Sequence, residues 1–306
     1  MKLHQMRYIR EVARQNLNVS TAAEILHTSQ PGVSKQIQLL EQELGIQIFQ
    51  RSGKRLTGIT EPGQIVLNMA EQILREAENI KRVGEDFTKV NEGSLSIATT
   101  HTQARYRLPP AIKNFVERYP NIQLHIHQGN PSQVTAMIVN GEADIGIATE
   151  AIANHPDLVA LPCYVWNRCI VAPHGHPILK DQPLTLKKLA TYPMVTYDLG
   201  FAGSNTVRMV FEKQGVTPNI VLTAIDSDVI KTYVEMGLGV GLLAKMAFDT
   251  ERDKGLSMLD ASGLFPDSTT YLGVRRDAYL RTYMYDFIEF LAPHLNRKAV
   301  NIALQA

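Results

Sequence analysis

Between Val19 and Glu43 the chain reads VSTAAEILHTSQPGVSKQIQLLEQE, and that spacing leaves little choice of local fold. Ala22, Ala23, Ile25 and Leu26 give one short helix an apolar face, with Ser20 placed to cap it. Ser29 is placed to cap a second helix. Pro31 falls in its first turn, where a missing N–H costs little, and Val33, Ile37, Leu40 and Leu44 point inward until Gly45 stops the run. Two short helices joined by a tight turn form a helix-turn-helix. The outer side of the second carries Ser34, Lys35 and Gln38, which suit the major groove of duplex DNA.

The flanking residues extend this reading. Leu3, Met6, Val12 and Ala13 mark a preceding helix that closes near Gln15. After Gly45, Ile46, Ile48 and Leu56 alternate like short strands around Ser52-Gly53, and Arg51, Lys54 and Arg55 crowd that turn as a basic wing. Thr60 caps a long helix, with Pro62 in its first turn, that runs to about Phe87. Its apolar residues Val66, Met69, Ile73, Ala77, Ile80, Val83 and Phe87 recur at steps of three or four, and such a stripe wants a second copy of itself. Asn91-Glu92-Gly93-Ser94 reads as a hinge. The expected domains are a winged head over 1–60, a linker and dimerisation helix over 61–90, and the remainder over 91–306.

Charge is distributed to match. The whole chain carries only +1, but residues 1–60 hold eight basic against four acidic side chains, and residues 61–90 hold four against six. The positive field therefore sits at one end. At 44% hydrophobic and 20% charged the composition is that of an ordinary globular protein, with 306 residues enough for two or three domains. No apolar run approaches the roughly 18 residues a membrane span needs. MKLHQMRYIREVARQ has no apolar signal core, and Cys163 and Cys169 form no C-x-x-C pair, so a reducing cytoplasmic setting is expected.

From Ser94 the pattern turns α/β. Strands are expected at Leu95–Thr100, Gln123–Gln128, Asp144–Thr149, Arg168–Ala172, Met194–Tyr197, Ile220–Ala224, Val240–Leu243 and Thr270–Arg275. Helices are expected at Leu108–Arg118, Ser132–Asn140 and Leu280–Leu291. Such alternation implies a mostly parallel sheet covered on both faces, and about 200 residues make two lobes: one from about 91–163 and 268–292, the other from about 164–267.

Two places carry chemistry. In the head, Gln30 at the start of the reading helix can pair bidentately with adenine, Ser29, Pro31, Ser34, Lys35 and Gln38 share that surface, and Arg51, Lys54 and Arg55 suit phosphates or a narrow minor groove. A helix pair alone is as readily a packing unit; the wing, the local charge and the long helix favour DNA. In the second half, Leu95–Thr100 ends in a threonine-rich turn before a helix. Hydroxyls of Thr99, Thr100 and Thr102, the Gln103 amide and free backbone N–H groups converge there, an anion site by its donors, although threonines at a strand end also simply cap helices.

AAEILHTSQPGVSKQIQLLEQELGIQIFQR, followed by a glycine-bearing wing and a T-x-x-G helix start, resembles the LysR-type transcriptional regulators over the whole chain. IATTHTQARYRLP, LPCYVWNR, DSDVIKTYVEMGLGVGLLA and LRTYMYDFIEFLAPHL resemble the branch that regulates cysteine biosynthesis and sulfur assimilation, with the regulators of sulfonate and sulfate-starvation genes as the next relatives. The resemblance implies a winged helix-turn-helix joined by a long linker helix to a two-lobed, periplasmic-binding-protein-like α/β sensor. It implies homodimers or homotetramers on double-stranded promoter DNA, contact with RNA polymerase, and a small anionic effector: acetylserine, sulfate or thiosulfate. It also implies that Thr100, Thr102, Gln103, Thr149 and Trp166 line the cleft between the lobes. In GFAGSNT, position 202 is Ala where the family pattern carries a threonine donor, leaving Ser204 or a backbone N–H as the substitute.

Other constellations point away from catalysis. His125 and His127 flank Ile126, but Leu124 and Ile126 read as the buried face, which turns the histidines to solvent; His174 and His176 flank Gly175 with no further ligand, so no metal is expected. Gly237, Gly239 and Gly241 follow a helical run and precede a strand, the reverse of a dinucleotide loop. Asp226 and Asp228 read as the acidic opening of a helix. No nucleophile elbow or phosphate loop occurs, so neither enzyme activity nor a cofactor is expected. A solute-binding or anion-handling protein with an added head is the remaining alternative, and residues 1–60 argue against it.

Overall fold

The computed structural model describes residues 1–53, 55–198 and 204–305. Lys54 and Ala202 lie outside the described residues, as does the side chain of Ser204. The chain divides into two compact units, Met1–Phe87 with Asp277–Tyr279, and Thr88–Arg276 with the residues from Leu280 on.

In the first unit α1 (Leu3–Arg14), α2 (Val19–Ile25) and α3 (Gln30–Leu44) precede a hairpin of β1 (Phe49–Ser52) and β2 (Arg55–Ile59), and α4 (Glu61–Thr88) follows. Met6, Ile9, Val12, Ala22, Ala23, Val33, Ile37, Leu40, Ile48 and Phe49 form one core. Ser29 caps α3 by accepting from Gly32 N at 3.3 Å, and the helix closes at left-handed Gly45. The cap of α2 is Asn18, not Ser20: its Oδ1 accepts from Ser20 N at 3.1 Å and Thr21 N at 3.2 Å. Leu3, Ile25 and Leu44, read as inward from the sequence, are exposed and lie outside the core, and on α1 it is Ile9 that joins Met6 and Val12 there.

The T-x-x-G start of α4 has a steric origin. Thr60 Oγ1 donates to Gln47 O at 2.6 Å and accepts from Gly63 N at 2.9 Å. A Cβ on Gly63 would lie 2.1 Å from Ile48 O, so only glycine lets the helix pack this closely on the head. α4 is 28 residues long, about 42 Å at 1.5 Å per residue. It has two apolar stripes. Leu67, Ala70 and Leu74 belong to the head's core, a set absent from the sequence reading, while Ile65, Met69, Ile73, Ile80, Val83 and Phe87 are exposed. Farther along, buried Asn79 donates to Asp277 O at 2.6 Å and accepts from Tyr279 N at 3.0 Å, and Arg75 pairs with Asp277 at 2.7 Å. Among the described residues, no helix is long and apolar enough to cross a membrane.

The second unit holds two five-stranded sheets. Lobe I contains β3 (Gly93–Thr99), α5 (His101–Tyr106), α6 (Leu108–Arg118), β4 (Ile122–Gln128), α7 (Pro131–Val139), β5 (Ile145–Ala148), α8 (Glu150–Ala153) and β6 (Leu158–Trp166). The chain then enters lobe II through β7 (Arg168–Pro173), α9 (Leu186–Leu189), β8 (Met194–Tyr197), α10 (Ser204–Lys213), β9 (Ile220–Ala224), α11 (Ser227–Glu235), β10 (Val240–Ala244) and β11 (Leu256–Asp260). It returns to lobe I with β12 (Ser268–Arg275), α12 (Thr282–Leu291) and α13 (Arg297–Gln305).

Sheet order is β4-β3-β5-β12-β6 in lobe I and β11-β7-β10-β8-β9 in lobe II. Each sheet is half parallel and half antiparallel, correcting the expectation of a mostly parallel sheet. The antiparallel pairings come from the strands that carry the chain between lobes, β6, β7 and β12, and from β11. β6 and β11 are absent from the sequence reading. The crossovers lie side by side: Trp166 pairs with Ser268 across the sheet, and Asn167 Nδ2 donates to Asp267 Oδ1 at 2.5 Å.

Candidate functional site

On the head, Gln30, Lys35 and Gln38 are exposed along α3, and Ser34 is partly so. Gln30 Nε2 donates to Ser34 Oγ at 3.0 Å, which joins two of the residues expected to read bases. Ser29 and Pro31 sit in the first turn, where the N-cap already uses the serine hydroxyl. The wing residues divide. Arg55 is exposed. Arg51 points back into the protein, with its guanidinium 3.0 Å from Glu41 Oε2. Glu41, on α3, is buried, and its other oxygen accepts from Ile48 N at 2.9 Å and Phe49 N at 3.1 Å. A carboxylate on the reading helix thus fixes the root of the wing, and Arg51 completes its coordination.

In the second unit, a cavity between the lobes is lined by Thr100, Thr102, Gln103, Trp166, Tyr197, Ile225 and Ala244. Four of the expected residues meet there. Thr100 and Thr102 stand at the start of α5, where unpaired helix N–H groups and hydroxyls favour an anion. Trp166 ends β6. Its indole Nε1 is buried and has no hydrogen-bond acceptor among the described residues. A buried donor of this kind favours a ligand that brings acceptor oxygens.

The Gln103 amide, expected as a ligand donor, is engaged within lobe I: Nε2 donates to Thr270 Oγ1 at 3.3 Å, and Oε1 accepts from Tyr164 Oη. Thr149 is buried at the start of α8 and is not on the cavity wall.

Besides the apolar lining of Ile225 and Ala244, three polar residues of the site were absent from the sequence reading. Tyr197 Oη bonds Ser227 Oγ at 2.6 Å, and Ser227 Oγ lies 3.3 Å from Thr102 Oγ1, so a chain of hydroxyls crosses from lobe II to lobe I. Arg168, the first residue of β7, is buried with its guanidinium carbon 5.1 Å from the Trp166 ring centroid, held by Ser268 Oγ at 3.1 Å and Pro266 O at 3.2 Å. Burial lowers its pKa, but it keeps a positive charge behind the tryptophan. A strand end and a helix start were visible in the sequence at Tyr197 and Ser227; their meeting was not.

The cavity volume is about 20 Å³. A single water needs about 10–15 Å³, so among the described residues the space between the lobes holds little more than a water in this conformation. A larger cavity of about 450 Å³ lies in lobe II between α10 and β8–β9. Val207, Phe211, Val216, Pro218 and Ile220 make its wall largely apolar, with Arg208, Glu212 and three threonines among the polar lining.

The remaining constellations serve the fold. Cys163 and Cys169 are buried, and burial pushes both thiols up to about 12. Asp226 caps α11 by accepting from Val229 N at 2.8 Å, as its spacing predicts. His125 and His127 are exposed on the edge strand β4, as expected, but Ile126 is exposed as well, because the pleat of an edge strand leaves both faces partly open here. His101, Asp226 and Asp228 bring potential metal-ligand atoms within 4.8 Å of one another, yet Asp228 already pairs with Arg105 at 2.6 Å and Lys231 at 3.4 Å, which opposes a further cation.

Comparison with known proteins agrees with this architecture. Residues 3–64 match the bacterial regulatory helix-turn-helix protein, lysR family, and residues 88–296 match the LysR substrate binding domain. The chain is 51% identical over 300 residues to the HTH-type transcriptional regulator SsuR of Burkholderia cenocepacia, covering 98% of this chain and 97% of the relative. It is 51% identical over 305 residues to the HTH-type transcriptional regulator CysB of the same organism, covering 100% and 97%. The crystal structure of the cofactor-binding domain of the Cbl transcriptional regulator superposes with a TM-score of 0.67 at 42% identity, covering 70% of this chain and 93% of that one.

Proposed function

The chain belongs to the LysR family of DNA-binding transcriptional regulators, and on that premise we propose that it controls genes of cysteine biosynthesis and sulfur assimilation in response to a small anion held between the sensor lobes. The observation that carries the effector reading is the buried Trp166 Nε1 donor, set beside the hydroxyls of Thr100 and Thr102 with Arg168 behind it. Acetylserine, sulfate and thiosulfate each present the oxygens that such a donor set selects, with Thr149 and Ser204 kept as further candidate donors from the sequence alone. In the head, Ser29, Gln30, Pro31, Ser34, Lys35 and Gln38 face promoter DNA, and Lys54 and Arg55 contact phosphates from the wing. The exposed stripe of α4 pairs with a second copy, as a homodimer that further associates into a tetramer. The protein acts in the cytoplasm, touches RNA polymerase at the promoter, and needs neither cofactor nor catalysis.

Effector binding would then change the angle between lobes. Because each sensor is joined covalently to α4, that change would alter the spacing of the paired heads and hence DNA bending. Linkage makes the effect reciprocal: DNA of the favoured spacing must tighten effector binding.

Alanine at position 202, where a threonine donor is expected, favours a second reading, a regulator of sulfonate and sulfate-starvation genes that senses a different sulfur anion. A footprint on the upstream region of a sulfur-assimilation gene, with acetylserine, thiosulfate, sulfate or adenosine phosphosulfate added in turn, decides between them. Acetylserine altering the footprint supports the cysteine reading, and adenosine phosphosulfate alone doing so supports the second. Failure to bind any such fragment at low ionic strength rejects both.

A further inference from the structure

Outside the cavity the two lobes are joined at a second place. α5, in lobe I, ends in Arg105 and Tyr106, and α11, in lobe II, carries Asp228 and Lys231. Tyr106 Oη donates to Asp228 Oδ1 at 2.6 Å and accepts from Lys231 Nζ at 3.0 Å. Arg105 Nε lies 2.6 Å from Asp228 Oδ2. The Tyr106 ring packs against the lobe II core of Val171, Ile230, Val234 and Ala247, with Lys231 Nζ 5.2 Å from its centroid. None of these four polar side chains lines the effector cavity.

The lobe II half of this contact is complete without its partner. Lys231 is buried, lies 2.8 Å from Asp253, and donates to Ala247 O at 2.9 Å and to Asp253 Oδ2 at 3.1 Å. Asp228 keeps Lys231 at 3.4 Å. Withdrawing Tyr106 therefore strands no buried charge. Parting the lobes here costs those two charge-assisted hydrogen bonds, the half-exposed Arg105–Asp228 pair and some ring burial, a gap that a ligand can reverse. The conformation in which these bonds are made is also the one in which the cavity measures about 20 Å³. A metabolite-sized anion can enter only after the lobes part, and parting them takes Tyr106 away from Asp228 and Lys231.

We propose that Tyr106, clasped by Asp228 and Lys231, is an autoinhibitory latch that holds the effector cleft shut and so sets the affinity and entry rate for the effector without touching it. The proposal rests on the effector reading of the cleft given above. A closed state that excludes ligand competes with binding, and apparent affinity falls by the fraction of molecules able to bind. Removing the latch returns that fraction.

The chain has a single tryptophan, Trp166, and it lies in the cavity, so its fluorescence reports the cleft directly. The full-length protein and the variants Tyr106→Phe and Asp228→Asn are compared in two measurements. Without ligand, acrylamide quenching of Trp166 is expected to rise at least two-fold in both variants, with the thermal midpoint of Tyr106→Phe within a few degrees of wild type. On titration with thiosulfate, sulfate and acetylserine, any probe that binds wild type is expected to bind Tyr106→Phe several-fold more tightly and with faster association. Quenching identical to wild type in both variants overturns the latch, and so does weaker binding by Tyr106→Phe, which would place the contact in the liganded state. If no probe binds any form, the effector reading fails, while the quenching comparison still decides the latch.

Discussion

Arg51 and Glu41 face each other at 3.0 Å, one on the wing and the other buried on the reading helix, so a basic residue that looks destined for phosphate serves first as an internal strut. Replacing Arg51 by Ala is expected to lower stability by about 1–3 kcal/mol, because the buried carboxylate loses its charged partner. Replacing exposed Arg55 by Ala should leave the melting temperature unchanged and reduce the salt slope of DNA binding by about one. Thermal melts, together with binding isotherms at several salt concentrations, separate the two roles.

Gln30→Ala should cost about 1–3 kcal/mol of discrimination between operator and mismatched DNA, the size of one bidentate base contact. Non-specific affinity and effector binding should not change. Competition binding with single-base operator variants checks this, and unaltered discrimination would remove Gln30 from the reading surface.

The exposed stripe on α4 leaves Ile80 at 73% and Phe87 at 80% accessibility in the single chain. Ile80→Asp with Phe87→Asp should therefore weaken self-association by at least ten-fold, since paired apolar faces lose about 25 cal/mol for each Å² left in water. Sedimentation equilibrium measures this. The folded fraction at dilute concentration should stay constant, because Leu67, Ala70 and Leu74 anchor the helix to the head independently.

Both cysteines should be inert in the native protein. With their thiols raised to about 12 by burial, almost no thiolate exists at pH 8. A chromogenic disulfide reagent should react with neither until denaturant is added and then titrate both. Native reactivity at either position would reopen a redox role.

Asp228 gives the chain a defined acid dependence. Burial pushes its carboxyl up, but the Tyr106 hydrogen bond and the nearby Lys231 and Arg105 outweigh that and leave it below the ordinary value of 3.8. A depressed carboxylate contributes stability that is present in full above the unfolded value and is lost as pH falls through the lower folded one. His101, Asp226 and Asp253 also face this cluster. Acid unfolding curves for wild type and Asp228→Asn should therefore converge below about pH 4 and separate above it, with wild type the more stable.

The head was legible because its signals are local: a helical period, Ser29, Gly45, and a proline in the first turn of two helices. The second stripe on α4 was missed because Leu67, Ala70 and Leu74 fall between the residues of the first and only a fold can assign two partners to one helix. β6 escaped because Pro162 interrupts it and its burial does not alternate, and strand direction has no local signature at all. In the cleft, the threonine turn could be read from a strand end. Trp166 came through resemblance alone, and Ser227 lies 125 residues from the Thr102 it faces. Glu41 looks like any exposed helix carboxylate until Ile48 and Phe49 fold over it.

The two crossovers that tie Asn167 to Asp267 leave Trp166 one residue from the pivot between the lobes. A ligand held by that indole, as proposed, would work at the axle and not at the rim. Displacements of a fraction of an ångström there become sweeps of several ångströms at the outer edges, in proportion to radius. Sensitivity to so small a molecule then demands little contact area, only a grip close to the fulcrum.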